Sequence, residues 1–169
     1  VDTDGETEIA MLFGDGKLRM IDEDGSAHWS IPITVNARST PTLADLDQDG
    51  DLEVILNGLE GGDLYVWHKN GTNFRTNNNR YVDLSLANQV NYSGVAVADV
   101  DSTSPGLEIA QSLFNGEVKL WKTQTGSGNP AAVWVKGPCD SPPCGGAVTT
   151  PAIADVNADD VPDVIVASK

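Results

Sequence analysis

The sequence predicts an all-β fold of about three four-stranded antiparallel units, and three observations support this prediction. A short acidic run occurs four times along the 169 residues. The segments beside these runs alternate apolar or small residues with others at period two, the pattern of a strand buried on one face. No stretch of useful length has the 3.6-residue periodicity of an amphipathic helix. A chain of this length is sufficient for one domain with a substantial core.

The acidic runs and the segments around them define a repeat. The segments before three of the runs read TPTLA (40–44), GVAVA (94–98) and TPAIA (150–154), and strand-like segments rich in Val, Ile and Leu follow. Turn dipeptides such as Asp15-Gly16 and Asn115-Gly116 then predict tight hairpins. A fourth strand follows in AHWSIPI (27–33), RYVDLSL (80–86) and AAVWVKG (131–137). Each unit therefore has the order strand, acidic loop, strand, hairpin, strand, turn, strand.

The spacing of the repeat sets the unit boundaries. Asp45, Asp99 and Asp155 begin equivalent runs that lie 54 and 56 residues apart, somewhat above the length of a typical four-stranded propeller blade. We expect a partial blade at 1–39, complete blades at 40–93 and 94–148, and a partial blade at 149–169. Three blades do not close a ring, so the prediction is an open or partial β-propeller with calcium loops between the first and second strands.

The run DLDQDGDLE at 45–53 has the composition of a calcium loop. Carboxylates at alternate positions repel one another unless a cation lies between them, and Ca²⁺ takes six to eight oxygens from flexible acids and backbone carbonyls. Mg²⁺ uses fewer acids and more waters, and zinc prefers Cys or His. The predicted ligands are the side chains of Asp45, Asp47, Asp49 and Glu53 and the carbonyl of Asp51, with Gly50 permitting the turn.

An EF-hand begins with a similar pattern but does not fit this run. An EF-hand loop needs an acid at its twelfth position and a helix on each side. The twelfth residue from Asp45 is Leu56, and both flanking segments are predicted strands.

The other three runs are less regular. The last run offers the side chains of Asp155, Asn157, Asp159 and Asp163 and the carbonyl of Val161, with Asp160 in place of the glycine. The third run offers Asp99, Asp101, Thr103 and Glu108, but it contains Pro105 and one extra residue. The first run keeps Asp2, Asp4 and Glu8 and lacks its leading acid. For the first and third runs, a solvated acidic turn without an ion is the alternative.

These runs resemble the calcium loops of FG-GAP or VCBS-type repeats. The family pattern is approximately Asp-x-Asp/Asn-x-Asp/Asn-Gly-x-x-Asp/Glu between two strands of a blade, and the run at 45–53 matches it throughout. The resemblance extends over nearly the whole chain. It implies an extracellular, calcium-binding β-propeller similar to the heads of integrin α subunits, used for adhesion, for scaffolding or as an accessory to a secreted enzyme.

Charge, hydropathy and cysteine spacing restrict the partners and the compartment. The formal net charge of −15 argues against nucleic acid and anionic membrane surfaces as partners. No run approaches the roughly 18 apolar residues of a membrane span. Cys139 and Cys144 lie in a Pro/Gly-rich loop, where a local disulfide in an oxidising compartment is the simplest interpretation. Free thiols are the alternative, and a metal site lacks further ligands nearby.

The remaining aromatic and polar signals favour structural roles. His28 and His68 fall on predicted strands outside any catalytic motif, so we expect structural or surface histidines. Trp67 and Trp121 occupy the same repeat position, which favours packing between blades over a carbohydrate platform. Asn70 and Asn91 begin glycosylation sequons by pattern, and Asn91 is followed by Tyr and Ser.

The function expected from these features is a non-catalytic, secreted or cell-surface calcium-binding scaffold with a structural or adhesive role. Open sheet edges favour self-association into an oligomer or filament, or binding to an extracellular protein or glycan. The alternative is an accessory propeller fragment of a secreted enzyme, such as a polysaccharide lyase or peptidase, with calcium bridging a uronate carboxylate.

Overall fold

The all-β prediction is confirmed by a computed structural model that describes residues 7–33, 39–58, 60–75, 80–123, 128–137 and 149–167. All regular structure in these ranges is β-strand, and no helix long and apolar enough to cross a membrane occurs in them. The strands are β1 (Ile9–Leu12), β2 (Lys17–Ile21), β3 (Ala27–Pro32), β4 (Thr42–Ala44), β5 (Glu53–Asn57), β6 (Glu60–Gly61), β7 (Leu64–Trp67), β8 (Leu86–Val90), β9 (Val95–Ala98), β10 (Glu108–Ser112), β11 (Val118–Lys122), β12 (Ala132–Lys136), β13 (Ala152–Ala154) and β14 (Asp163–Ile165).

Within the described ranges the strands form five small antiparallel sheets. The sheets have the strand orders β1-β2-β3, β4-β5-β7, β6-β8, β12-β11-β10-β9 and β13-β14. The register shifts between Met20 and Ile21 where β2 meets β3, and between Leu120 and Trp121 where β11 meets β12. These two irregularities occupy equivalent positions of the repeat, so the units share a local distortion as well as a strand order.

The segment 80–86 departs from its predicted strand. Val82 makes an isolated bridge to Leu64, and the next strand, β8, begins only at Leu86 and pairs with the short β6. The carboxylate of the buried Asp63 accepts the backbone N–H of Leu84 at 3.1 Å. That N–H is therefore not available to a sheet ladder, which gives a physical reason for the interruption.

The strands β5 and β7 are buried on both faces of their sheet, because their alternate residues belong to two different cores. One core lies toward β9–β12 and contains Leu46, Ile55, Leu64, Val66, Phe74, Tyr81, Val82, Val95, Ile109 and Trp121. The other lies toward β1–β3 and contains Leu18, Met20, Ile33, Val54, Leu56, Tyr65 and Trp67. Trp67 and Trp121 are therefore both buried between sheets, as predicted.

Buried amides connect the same sheets through hydrogen bonds. Gln111 of β10 donates from Nε2 to Asn57 Oδ1 of β5 at 2.9 Å and accepts from Trp121 Nε1 at 2.9 Å. Asn57 donates in turn to the carbonyl of Ser93 at 3.0 Å. Because Gln111 and Asn57 are both fully buried, these bonds fix the relative position of the two sheets.

The first strands of three successive units converge around Gly94. Its N–H donates to Thr150 Oγ1 at 2.9 Å, and Thr42 Oγ1 donates to the carbonyl of Val95 at 3.1 Å. A Cβ at Gly94 would lie 3.3 Å from Thr150 Oγ1 and 3.4 Å from the carbonyl oxygen of Thr40. The beginnings of β4, β9 and β13 therefore meet closely, and a side chain at position 94 has little room.

We predict that Gly94→Leu lowers the free energy of unfolding by about 1–3 kcal/mol, because the side chain forces the first strands apart. The control is Gly14→Leu, since a Cβ at Gly14 meets no atom within 4 Å. Urea unfolding of both variants measures the difference. Equal stability of the two variants would contradict the close approach at Gly94.

Candidate metal centre

The loop 45–53 joins β4 to β5, between the first and second strands of its unit. Its base is closed by the pairing of Ala44 with Glu53. Gln48 and Gly50 adopt left-handed backbone conformations, with φ of 60° and 94°. Gly50 adopts this conformation without steric cost. Gln48 adopts it at a steric cost, so the surrounding contacts of the loop must hold its backbone in place.

Three carboxylates converge inside this loop. Oxygens of Asp45, Asp47 and Asp49 all lie within 4.8 Å of one another. Asp45 also shapes the turn, because its Oδ1 and Oδ2 accept the N–H groups of Asp49 and Gly50, each at 3.1 Å. An all-oxygen set of flexible, negatively charged donors fits a hard divalent cation and matches the preference of Ca²⁺.

Glu53 lies at the base of the loop and is completely buried. Its Oε2 accepts the N–H of Leu46 at 2.8 Å, and its Oε1 lies 3.2 Å from His68 Nδ1. Burial raises the pKa of the Glu53 carboxyl, and the charge of Asp47 raises it further, while the contacts with Leu46 and His68 oppose this. A cation beside Asp47 would favour the ionised form of Glu53.

His68 is the residue that the sequence analysis missed at this site. A ring nitrogen of His68 joins oxygens of Asp47 and Glu53 in a second group whose ligand atoms lie within 4.8 Å of one another. Val54 pairs with Trp67 in the β5–β7 hairpin, so the next pair outward places His68 opposite Glu53. The register of β5 with β7 identifies this neighbour, and the structure is needed to fix that register.

Asp51 differs from the other acids of the loop. Its side chain forms an ion pair with Lys69, with Lys69 Nζ 2.6 Å from Oδ2. The carboxylate of Asp51 is therefore paired with a lysine and does not join the group of Asp45, Asp47 and Asp49. The carbonyl of Asp51 as a ligand stays a prediction.

The loop 155–163 has the same backbone design as the loop 45–53. Ala158 and Asp160 are left-handed, with φ of 61° and 64°, at the positions equivalent to Gln48 and Gly50. Aspartate tolerates this conformation better than most residues, which explains how Asp160 replaces the glycine. The Oδ2 of Asp155 accepts the N–H of Asp160 at 2.9 Å, as Asp45 does for Gly50.

The acids of the loop 155–163 are arranged by backbone N–H groups. Although desolvation acts in the opposite direction, four backbone N–H groups donate hydrogen bonds to the Asp155 carboxylate and hold its pKa below the usual value. Asn157 Oδ1 accepts from the N–H of Asp159, and Asp159 Oδ1 accepts from the N–H of Val161, each at 2.9 Å. The carbonyl of Val161 as a ligand stays a prediction, as do the side-chain ligands of this loop.

The last acid has the same contact in three of the loops. Glu53, Glu108 and Asp163 each accept the N–H of the residue that follows the first acid of the run. These donors are Leu46, Val100 and Val156, at 2.8, 2.9 and 3.1 Å. The last acid therefore closes the base of each loop through the backbone.

The loop 99–108 is organised differently from the other two. Asp101 Oδ1 accepts both the N–H and the hydroxyl of Thr103, at 3.1 and 2.5 Å, and Lys122 Nζ lies 3.8 Å from Asp101 Oδ2. The hydroxyl of Thr103 is the main cause of the lowered pKa of the Asp101 carboxyl. None of Asp99, Asp101 and Glu108 belongs to either of the two groups of candidate metal ligands found among the described residues.

Several predicted positions lie outside the described residues. These are Asp2 and Asp4 of the first run and both cysteines of the predicted disulfide, Cys139 and Cys144. Glu8 is described, is partly buried and directly precedes β1.

The two sequons differ in exposure. Asn91 is 2 % exposed and accepts the N–H of Phe114, so a glycan on it is incompatible with the folded chain. Asn70 lies exposed in a turn, where its Oδ1 accepts from Thr72.

A solved structure with a similar fold is the crystal structure of the V. cholerae biofilm matrix protein Bap1. It superposes with a TM-score of 0.62 at 17 % sequence identity, over 96 % of this chain and 26 % of that chain. This chain thus spans about a quarter of the length of Bap1, and at this identity the similarity establishes the fold alone. No family model matches the sequence. No curated protein matches it either.

We predict that Glu53→Ala and Glu108→Ala each lower the free energy of unfolding by about 1–3 kcal/mol, even in the presence of a chelator. Each substitution leaves a backbone N–H at the base of a loop without its acceptor. Chemical unfolding in EDTA measures the change. Glu23→Ala is the matched control, because Glu23 is exposed in a turn and should change stability by less than about 0.5 kcal/mol. Losses no larger than that of the control would contradict this role of the last acid.

Proposed function

We propose that the chain is a calcium-stabilised, non-catalytic segment of an extracellular scaffold protein. The observation that carries the proposal is the convergence of the carboxylates of Asp45, Asp47 and Asp49 in the loop between β4 and β5. The same backbone design at 155–163 supports a second site of the same kind. The two loops share their backbone conformation, whereas converging carboxylates are found among the described residues only in the loop 45–53.

Ca²⁺ would be held at the first site by the side chains of Asp45, Asp47, Asp49 and Glu53 with the carbonyl of Asp51. At the second site it would be held by Asp155, Asn157, Asp159 and Asp163 with the carbonyl of Val161. The ion supplies positive charge that cancels the repulsion within each loop. A ligand that binds only the folded state at 100 times its dissociation constant adds about 2.7 kcal/mol. Two such sites are comparable with the total stability of a small domain.

The proposal includes a propeller-type arrangement of FG-GAP or VCBS-like blades. The convergence of β4, β9 and β13 around Gly94 supports it, because the first strands of blades line the centre of a propeller. The burial of β5 and β7 on both faces, between the two neighbouring sheets, supports it as well. In this arrangement each acidic loop follows the first strand of its blade, and the loops all lie at the same end of those strands.

The extracellular scaffold role draws on the fold neighbour and on composition. Bap1 is a biofilm matrix protein, and about a quarter of its chain has a fold similar to that of nearly all of this chain. Calcium-loaded loops suit a compartment in which Ca²⁺ is abundant, since extracellular modules use sites with dissociation constants of about 10⁻⁴–10⁻³ M. A structural or adhesive role outside the cell fits this fold neighbour and the proposed calcium sites.

Self-association through sheet edges is the assembly that we propose for this scaffold. Among the described residues, β1 pairs on one side only, with β2. Its side chains Ile9 and Met11 are 53 % and 45 % exposed. An open edge with exposed apolar side chains is a template for a strand of another chain, and a second copy is the partner proposed here.

We predict that saturating Ca²⁺ raises the melting temperature by about 5–10 °C per occupied site, with at least two ions bound per chain. Asp47→Asn should remove one ion and its share of the shift, because it takes a carboxylate from the centre of the group. Calorimetric titration and thermal melting measure both quantities.

Two controls accompany this measurement. Asp24→Asn changes an acid in the hairpin turn between β2 and β3, outside the acidic loops, and should leave the calcium response unchanged. Mg²⁺ at the same concentration should give a smaller shift, since it favours fewer protein ligands. An unchanged melting temperature in Ca²⁺ would refute the proposal.

We predict that the chain forms oligomers in Ca²⁺ and that Ile9→Lys shifts them toward monomers, because a lysine on the edge strand opposes strand addition. Light scattering with Ca²⁺ and with chelator measures the molecular mass. Phe114→Lys is the control, because Phe114 is exposed to a similar extent, 44 %, but lies in a turn. A monomer under both conditions would contradict self-association.

A further inference from the structure

We propose that the ammonium group of Lys122 takes the place of calcium at the loop 99–108, so that this loop closes without an ion. The inference rests on the proposed calcium role of the loops 45–53 and 155–163. In the four-stranded sheet β9–β12, the side chain of Lys122 would supply the positive charge that the proposed Ca²⁺ ions supply to the other two loops.

The hairpin register places Lys122 at this loop. Glu108, the last acid of the run, pairs directly with Lys122 across β10 and β11. The equivalent pair at the loop 45–53 is Glu53 with His68, whose nearest atoms are 3.2 Å apart. The position opposite the last acid therefore holds a permanent positive charge in one unit and an imidazole in the other.

The contacts of Asp101 support this substitution. Its Oδ2 lies 3.8 Å from Lys122 Nζ, and its Oδ1 accepts two hydrogen bonds from Thr103. Asp101 holds the third position of its run, as Asp47 does in the run 45–53. Asp47 faces two further carboxylates, whereas Asp101 faces a lysine and a threonine.

The backbone of the loop also differs from that of a calcium loop. The other two loops each contain two left-handed residues separated by one residue, at 48 and 50 and at 158 and 160. In the loop 99–108, which is described throughout, Gly106 alone has a positive φ, of 107°. Both N–H groups of Val100 and Asp101 donate to Glu108 Oε2, at 2.9 and 3.0 Å. The donors Asp99, Asp101, Thr103 and Glu108 therefore do not fit a shell of six to eight oxygens around Ca²⁺.

The consequence is a chain with two kinds of acidic loop. Chelation would remove the cation from the loops 45–53 and 155–163 and leave the loop 99–108 unchanged.

The first experiment compares the same substitution at equivalent positions of two loops. We expect calorimetric titration with Ca²⁺ to give one ion fewer for Asp47→Asn and the wild-type number for Asp101→Asn. Asp101→Asn should lower the melting temperature equally in Ca²⁺ and in EDTA. Loss of one ion in Asp101→Asn would overturn the proposal.

The second experiment is a double-mutant cycle in EDTA, which does not depend on calcium. Lys122→Met should lower the melting temperature by about 1–3 °C in the wild-type background and by much less in the Asp101→Asn background. Lys69→Met is the matched control, because Lys69 pairs with Asp51 of the other loop and should act equally in both backgrounds. Equal effects of Lys122→Met in both backgrounds would overturn the lysine contact.

The two experiments separate this inference from the proposed function. A wild-type chain that binds no Ca²⁺ would refute the calcium function, while the cycle in EDTA would still decide whether Lys122 supports Asp101. A wild-type chain that binds calcium and loses an ion in Asp101→Asn would refute the inference and leave the calcium function standing.

Discussion

Repulsion among carboxylates at alternate positions is the constraint on which the rest of this structure depends. Part of it is relieved by the backbone, because Asp45 and Asp155 accept N–H groups from the turn that they begin. The last acids, Glu53 and Asp163, likewise accept a backbone N–H at the base of each loop. Asp47 and Asp49 remain facing Asp45 within 4.8 Å, and the Ca²⁺ ion that we propose here would tie the end of β4 to the start of β5.

The sheets transmit that local constraint because they share their cores. Alternate residues of β5 and β7 belong to cores on opposite faces, so displacement of this sheet disturbs both neighbours. The bonds of Gln111 with Asn57 and Trp121 couple the same sheet to β9–β12 through buried groups, which are costly to leave unpaired. A loop that fixes the position of β5 therefore stabilises more of the chain than its own hairpin. This coupling explains why surface loops can control the stability of a small β protein.

Period-two patterns and turn dipeptides were sufficient to predict the β class, the loop between β4 and β5 and the burial of Trp67 and Trp121. They failed at 80–86, because Asp63 takes the N–H of Leu84 through a tertiary contact that has no local signal. His68 and Lys122 were overlooked for another reason. Their place opposite Glu53 and Glu108 follows from hairpin register, which depends on where each turn begins and on the irregularities that the sheets contain. The convergence of Asp45, Asp47 and Asp49 was predictable from spacing, whereas the cross-strand partners of the last acids required the structure.

A crystal structure determined at high resolution in abundant Ca²⁺ tests the central claim most directly. The account predicts a peak of calcium strength among Asp45, Asp47 and Asp49, coordinated by six to eight oxygens at about 2.3–2.6 Å. A well-ordered loop with only water between these three carboxylates would contradict it.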